Sequence, residues 1–265
     1  MGKQTKIEEQ KLTSSQLILG LAEKYDGDYN RILAAVAQKE MDGLESYVAK
    51  NTKPYITMLD QDYPETLKRK FHSPLILYYK GVLALLTTIE LKKLGVVTCR
   101  NIDNDLRAKA YNIIQELPTN IVIVTSNEVV AQMAINSQKP HRVILVLACG
   151  LNKTTPGCGE EIKKAVLKNG GLIITTKPQD STAVSNDFVR KNHLIATVSD
   201  AMLGIQLKLR SGSEMAIHFA LTNGADIMVL PTLPDTPECV NNTLIKEGAI
   251  LVENARDIKE VLFNE

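Results

Sequence analysis

From Leu94 onward the chain repeats one pattern: a short apolar run, then a stretch with helical spacing. The runs are Gly95–Thr98, Ile121–Thr125, Val143–Leu147, Leu172–Thr175, Met202–Leu207, Ile227–Leu230 and Ile250–Val252. They show no in-out alternation of apolar and polar residues, so each reads as a strand covered on both faces. Helical spacing fills the gaps, at about 103–117, 128–137, 160–168, 188–198, 213–222 and 241–247. Strand–helix alternation of this kind requires crossover connections and a mostly parallel sheet. The expected fold class is α/β, a doubly wound sheet that binds ligands at the carboxyl ends of its strands.

The upstream part differs. Residues 1–50 read as a small helical module, and residues 51–265 as the main domain. Thr13-Ser14-Ser15-Gln16 can cap a helix carrying Leu17, Ile18, Leu21 and Ala22; Gly27 breaks it, and Ile32, Leu33, Val36 and Ala37 mark a second. Ile56 to Leu59 and Leu75 to Tyr79 are further strand candidates, separated by the turn chemistry of Asp60-Gln61-Asp62-Tyr63-Pro64.

Charge and composition narrow the function. Lys+Arg is 31 and Asp+Glu is 30, so a polyanion partner has to be met by a local patch rather than by the field of the whole molecule. Cys99, Cys149, Cys158 and Cys239 form no C-x-x-C pair, which argues against zinc and suits a reducing cytoplasm. The N-terminus lacks a signal-type apolar core, and no run is long enough for a membrane helix. The expected setting is therefore cytoplasmic, with no membrane partner.

The candidate site comes from asking what leaves each strand's carboxyl end. Arg100 follows Gly95–Thr98, where a guanidinium can grip phosphate with two parallel hydrogen bonds. The Met202 strand ends in Arg210-Ser211-Gly212-Ser213 and feeds a helix, leaving backbone N–H groups and a helix dipole that favour an anion. Lys191 and His193, flanking Asn192, lie in the preceding helix. Asn127 reads better as a helix cap than as an anion donor. The 148–159 loop reads as structural, because Glu160 and Glu161 already satisfy the next helix dipole. There is no G-x-S-x-G, H-E-x-x-H, Walker loop or dinucleotide fingerprint, and His193 and His218 have no nucleophile beside them in sequence. Neither catalysis nor a cofactor nor a metal is expected. A phosphate chain, single-stranded DNA foremost, is.

Several of these pieces together resemble the DNA-processing protein A (DprA/Smf) family over about residues 53–262. Tyr63-Pro64 with Leu67, then Ser73-Pro74-Leu-Ile-Leu-Tyr-Tyr-Lys-Gly81, is similar to the family's lead-in. Phe188 to Ala196 is similar to its F-P-x-R-N-R-x-I-A segment, with Lys191 for the first Arg, Asn192 kept and His193 for the second Arg. Arg210-Ser211-Gly212-Ser213 matches its S-G-S turn, and Asn242-x-Leu-Ile-x-x-Gly-Ala249 its N-x-L-I-x-x-G-A. Pro231 stands where the family has Pro-Gly after a strand.

The resemblance implies an extended Rossmann-like domain, single-stranded DNA as ligand, RecA recombinase as partner during DNA uptake, a homodimer and no catalysis. It carries phosphate contacts onto Arg100, Lys191, Asn192, His193 and the turn Ser211, Gly212, Ser213; Arg210 joins them from the strand-end reading above. Two departures stand out. The family's G-S-R loop is Thr98-Cys99-Arg100 here, and its S-G-x-A-x-G-I-D loop gives way to Thr125-Ser126-Asn127-Glu128. The changes from Arg to Lys191 and His193 imply weaker or more pH-dependent binding. With the sequence closing at Glu265, no winged-helix module is expected after it. Two alternatives remain: a degenerate scaffold of the same family without DNA binding, and a nucleotide phosphoribohydrolase-like enzyme, whose Pro-Gly-Gly turn the chain lacks.

Overall fold

A computed structural model describes residues 12–51, 54–234 and 236–263. In chain order these form α1 (Ser14–Lys24), α2 (Tyr29–Ala37), α3 (Glu45–Val48), β1 (Tyr55–Thr57), α4 (Glu65–Lys68), β2 (Ile76–Gly81), α5 (Ala84–Thr87) and β3 (Lys92–Val97). Then follow α6 (Asn104–Glu116), β4 (Ile121–Thr125), α7 (Glu128–Ile135), β5 (Val143–Val146), α8 (Glu160–Lys168), β6 (Leu172–Thr175) and α9 (Ser185–Val198). The described chain ends with β7 (Ala201–Gly204), α10 (Gly212–Thr222), β8 (Asp226–Val229), α11 (Asn241–Lys246), β9 (Ile250–Leu251) and α12 (Ala255–Phe263).

The strands make one nine-stranded sheet in the order β1-β2-β6-β5-β4-β3-β7-β8-β9. β3 through β9 are parallel, and the β1–β2 hairpin adds on antiparallel through β2 against β6. The fold is thus the doubly wound α/β class expected. The apolar runs are unbroken because both faces are covered. In β4, Ile121 and Ile123 enter the core beneath α1, α6, α7, α8 and α12, while Val122 and Val124 enter the opposite core beneath α9 and α10. β3 pairs with β4 on one side and β7 on the other, so chain progression reverses there. This is the switch point at which such sheets open a crevice.

Local chemistry explains most element ends. Thr13 and Gln16 form a reciprocal capping box at α1, at 3.2 and 2.8 Å. The Asn127 side chain accepts from Val129 N and Val130 N through Oδ1 and so caps α7. β7 stops at Gly204, short of the Leu207 expected, because its neighbours stop with it: Val97 and Val229 are the last residues of β3 and β8. β3 begins earlier than expected, since Lys93 is buried with its amine on Leu91 O and its N–H on Asp200. α9 begins at Ser185 rather than near Phe188, because the Asp187 carboxylate accepts the Val184 N–H at 2.9 Å and turns the chain into the helix. α12, not expected from the sequence, buries Ala255, Ile258 and Leu262.

The N-terminal helices share the core of the sheet: Ile18, Leu19, Leu21, Ile32 and Leu44 pack in the same cluster as β3–β5. A buried ionic knot fastens them. Lys177 after β6 is 2% exposed and pairs with Asp26 and, at 3.1 Å, with Asp187, itself 1% exposed. Arg190 of α9 bridges Asp187 (3.3 Å) and Asp28. Gly27 lies between Asp26 and Asp28 at φ +71, where a Cβ would collide with the Thr176 carbonyl.

Candidate nucleic-acid interface

The crevice at the switch point is braced from below. Gln206, 3% exposed, follows β7. Its carbonyl accepts the Cys99 N–H at 2.7 Å, and its amide exchanges hydrogen bonds with Asp103, accepting from N at 2.9 Å and donating to Oδ2 at 2.7 Å. The loops after β3 and β7 are thereby tied together. Asp103 is occupied by Gln206, so Arg100 does not spend its charge there; among the described residues its guanidinium has no ion pair, and the residue is exposed. Asn241 and Asn242 of α11 fix the neighbouring loops. Asn241 donates to Ile205 O and Leu230 O at 2.8 Å each and accepts from Leu207 N, while Asn242 clamps both backbone groups of Thr232.

α9 crosses above this floor and divides the expected residues by face. Lys191 points toward the crevice, where it feels the Arg100 charge, the Cys158 thiol and, 5.9 Å away, the Phe188 ring. No carboxylate or carbonyl among the described residues accepts from its amine. Burial, and secondarily Arg100, pull its pKa down from the ordinary lysine value to about 8. Asn192, 6% exposed, turns toward the first turn of α10, where a Cβ on Gly212 would stand 2.8 Å from its Nδ2. Its amide also has no hydrogen-bond partner among the described residues.

His193 faces the other way. Two positions along a helix is about 200° of rotation, and the ring lies against Phe219 (centroids 5.1 Å) and His72 (6.3 Å). There it lines an apolar cavity of about 240 Å³ with Tyr29, Leu75 and Leu194. Burial, aided by His72, lowers its pKa, so it is neutral at pH 7. Arg190, the first cation of the segment, is consumed by Asp28 and Asp187. The structure therefore brings Arg100, Lys191, Asn192 and the α10 turn to one crevice and leaves His193 on the far side of α9.

The turn itself is half satisfied. Arg210 sits at φ +56, and its N–H donates to the Glu214 carboxylate. Ser211 caps the helix by accepting from Glu214 N at 3.3 Å and shares a hydrogen bond with Ser213 Oγ. The amides of Gly212 and Ser213, the first two of α10, have no partner among the described residues. An anion set between these amides and Asn192 would complete the turn, and its next charge would reach Lys191 and Arg100. Gln206 and Phe188 were missed as site residues; a lone polar residue in the apolar 201–207 run was the available signal for Gln206.

Comparison with known proteins agrees with this architecture. The family model "DNA recombination-mediator protein A" matches residues 54–263. DNA processing protein DprA of Streptococcus pneumoniae is 27% identical over 210 residues, covering 77% of this chain and 73% of the relative. Protein Smf of Escherichia coli is 33% identical over 120 residues, 45% of this chain and 32% of that protein. Among solved structures, the S. pneumoniae DprA crystal structure superposes with a TM-score of 0.74 at 24% identity, over 93% of this chain and 92% of that one. DNA processing protein A of Helicobacter pylori, whose structure is described by its single-stranded DNA binding mode, gives 0.66 at 23% identity, over 80% and 97%. The matched span takes in β1 through α12 and with them the whole crevice, and the chain belongs to the DNA recombination-mediator protein A (DprA/Smf) family.

Proposed function

We propose that this protein binds single-stranded DNA by its phosphates along the crevice between β3 and β7. We further propose that it acts as a non-catalytic recombination mediator, presenting the strand to a RecA recombinase as a cytoplasmic homodimer. The observation that carries the reading is a pair of cations, Arg100 and Lys191, that have no counter-ion among the described residues and lie next to two open amides on α10. Unpaired cations in a protein are normally neutralised by carboxylates or solvated, and here the missing partner has the chemistry of a phosphate chain. The H. pylori protein's described ligand and the recombination-mediator family support the same ligand class. Arg100, Lys191, Asn192, Arg210, Ser211, Gly212 and Ser213 are the proposed contacts, and His193 supports α9 from behind. In this reading the helices α1–α3, within residues 1–50, form a module locked onto the domain spanning 51–265 by the pairs Lys177–Asp26 and Arg190–Asp28.

Phosphate-led binding is salt-sensitive and sequence-tolerant. Titrating labelled single- and double-stranded oligonucleotides at several salt concentrations tests the reading. Binding to the single strand that falls with salt, and weakens in Arg100→Ala, is the expected result. Absence of binding at low salt would leave the scaffold alternative, which the internal use of the Arg210 and Glu214 amides favours.

A further inference from the structure

The reverse face of α9 closes a cavity in whose described lining no residue of the strand crevice takes part. It measures about 240 Å³ and lies where the N-terminal helices, the segment before β2, α9 and α10 meet. Junctions of this kind are where small-molecule sites concentrate. Four of the lining residues carry rings. Tyr29 and His72 stack, 5.2 Å apart and 17° from parallel, and His193 meets Phe219 edge to face at 5.1 Å and 77°. His72 sits at φ +51, a left-handed conformation that a non-glycine residue keeps where its surroundings impose it. Ile32, Leu75 and Leu194 supply aliphatic wall, and burial keeps the His193 ring neutral at pH 7.

Size, polarity and charge together select the occupant. A cavity of about 150 Å³ takes one benzene ring, so this one takes a fused pair of rings. Among its lining residues are the exposed Asn30 and Asn186, whose side-chain amides have no hydrogen-bond partner among the described residues. A free amide presents a donor and an acceptor side by side, the pattern that asparagine sets against the edge of adenine. A purely apolar bicycle would leave both amides unused. Arg190, the one permanent cation in the described lining, is held by Asp28 and Asp187, so no charge remains there for a phosphate or carboxylate. We infer that this cavity is a binding site for a neutral purine, as free base or nucleoside. The flat base lies among the four rings, as bases do on aromatic platforms, and its polar edge meets Asn30 and Asn186. Lys191 faces the crevice and His193 the cavity, so the two sites are separated by the body of α9, about 10 Å across. A base of a strand seated in the crevice does not reach the cavity, and purine binding does not depend on the strand-binding reading.

The test is titration calorimetry of the full chain with adenosine, adenine, adenosine 5′-monophosphate and indole. Adenosine and adenine are expected to bind and to displace each other, with the monophosphate and indole weaker. Asn30→Ala and Asn186→Ala, both at exposed positions, each weaken adenosine about three- to tenfold, the worth of one hydrogen bond. Val189→Trp fills the cavity and abolishes binding, while Arg100→Ala leaves it unchanged. Absence of adenosine binding at millimolar concentration overturns the inference, as does an affinity that neither asparagine variant alters. Indole binding as tightly as adenosine makes the cavity merely apolar, and a monophosphate that binds more tightly than adenosine places the ligand at a cation; either result also overturns it. Loss of adenosine binding in Arg100→Ala puts the base in the crevice, with the same consequence. If adenosine binds as expected and no oligonucleotide does, the purine site stands and the strand reading falls.

Discussion

The Lys191 amine and the Arg100 guanidinium act on each other across the β3–β7 crevice, and no carboxylate among the described residues neutralises either. Two like charges drawn together and partly dried cost free energy that folding elsewhere must offset. That cost is recovered when an anion enters, because the ligand supplies the charge the protein withholds. The salt dependence of binding measures this directly. Each phosphate contact on a single strand contributes about 0.7 to the slope of log K against log salt. Arg100→Ala is expected to lower affinity for single-stranded DNA about tenfold and to reduce the slope by about 0.7, read by fluorescence anisotropy.

Protonation of Lys191 gives the binding a pH signature. The free protein's amine has its pKa lowered to about 8, and a bound phosphate favours the charged form and raises it again. Binding therefore takes up a proton near pH 8. The Lys191 contribution is fully present below that pH and is lost as pH rises through it. Affinity should fall between pH 7.5 and 9.5 in the wild type and stay flat in Lys191→Arg, whose guanidinium does not titrate there. His193, neutral at pH 7 and facing its cavity, should not contribute a second transition between pH 7 and 9.5.

Gly212→Ala tests the turn. The added Cβ stands 2.8 Å from Asn192 Nδ2, so the amide must move from its place beside the open N–H groups of α10. A stability loss of about 1 kcal/mol is expected, together with a drop in strand affinity several times larger than that caused by Met215→Ala on the exposed face of the same helix. Denaturant melts and anisotropy on the two variants check it.

The ionic knot is expected to behave differently from surface ion pairs. Removing the Asp187 carboxylate by Asp187→Ala leaves Lys177 buried with only the exposed Asp26 as partner, and frees Arg190 from one of its two aspartates. Breaking a buried pair in this way costs about 3–5 kcal/mol. Arg256→Ala, which removes an exposed pair with Glu260, should cost under about 1 kcal/mol. Limited proteolysis should show the Asp187→Ala chain opening first between α1–α3 and the sheet.

The sequence carried the sheet and not the sides of α9. Strands such as Ile121–Thr125 and helices such as Glu160–Lys168 are legible because burial on both faces, or spacing by three and four, leaves a strong local signal. Lys191, Asn192 and His193 are adjacent in sequence, yet they meet Arg100, Gly212 and Phe219 respectively, residues brought together by crossovers of the chain. No local pattern records that Asp28, more than a hundred residues upstream, claims Arg190, or that Gln206 claims Asp103. The motif resemblance placed the cations near one another; only the packing shows which of them remain unspent.

The sheet ends on β1 with three residues and on β9 with two. So few open backbone groups give a passing chain no ladder to extend, which is how natural sheets discourage edge-to-edge growth. Copies of this protein that meet one another are thereby steered toward contact through side chains and helix surfaces. A stretched nucleic-acid strand crowding many copies side by side would then line them up without fusing their sheets.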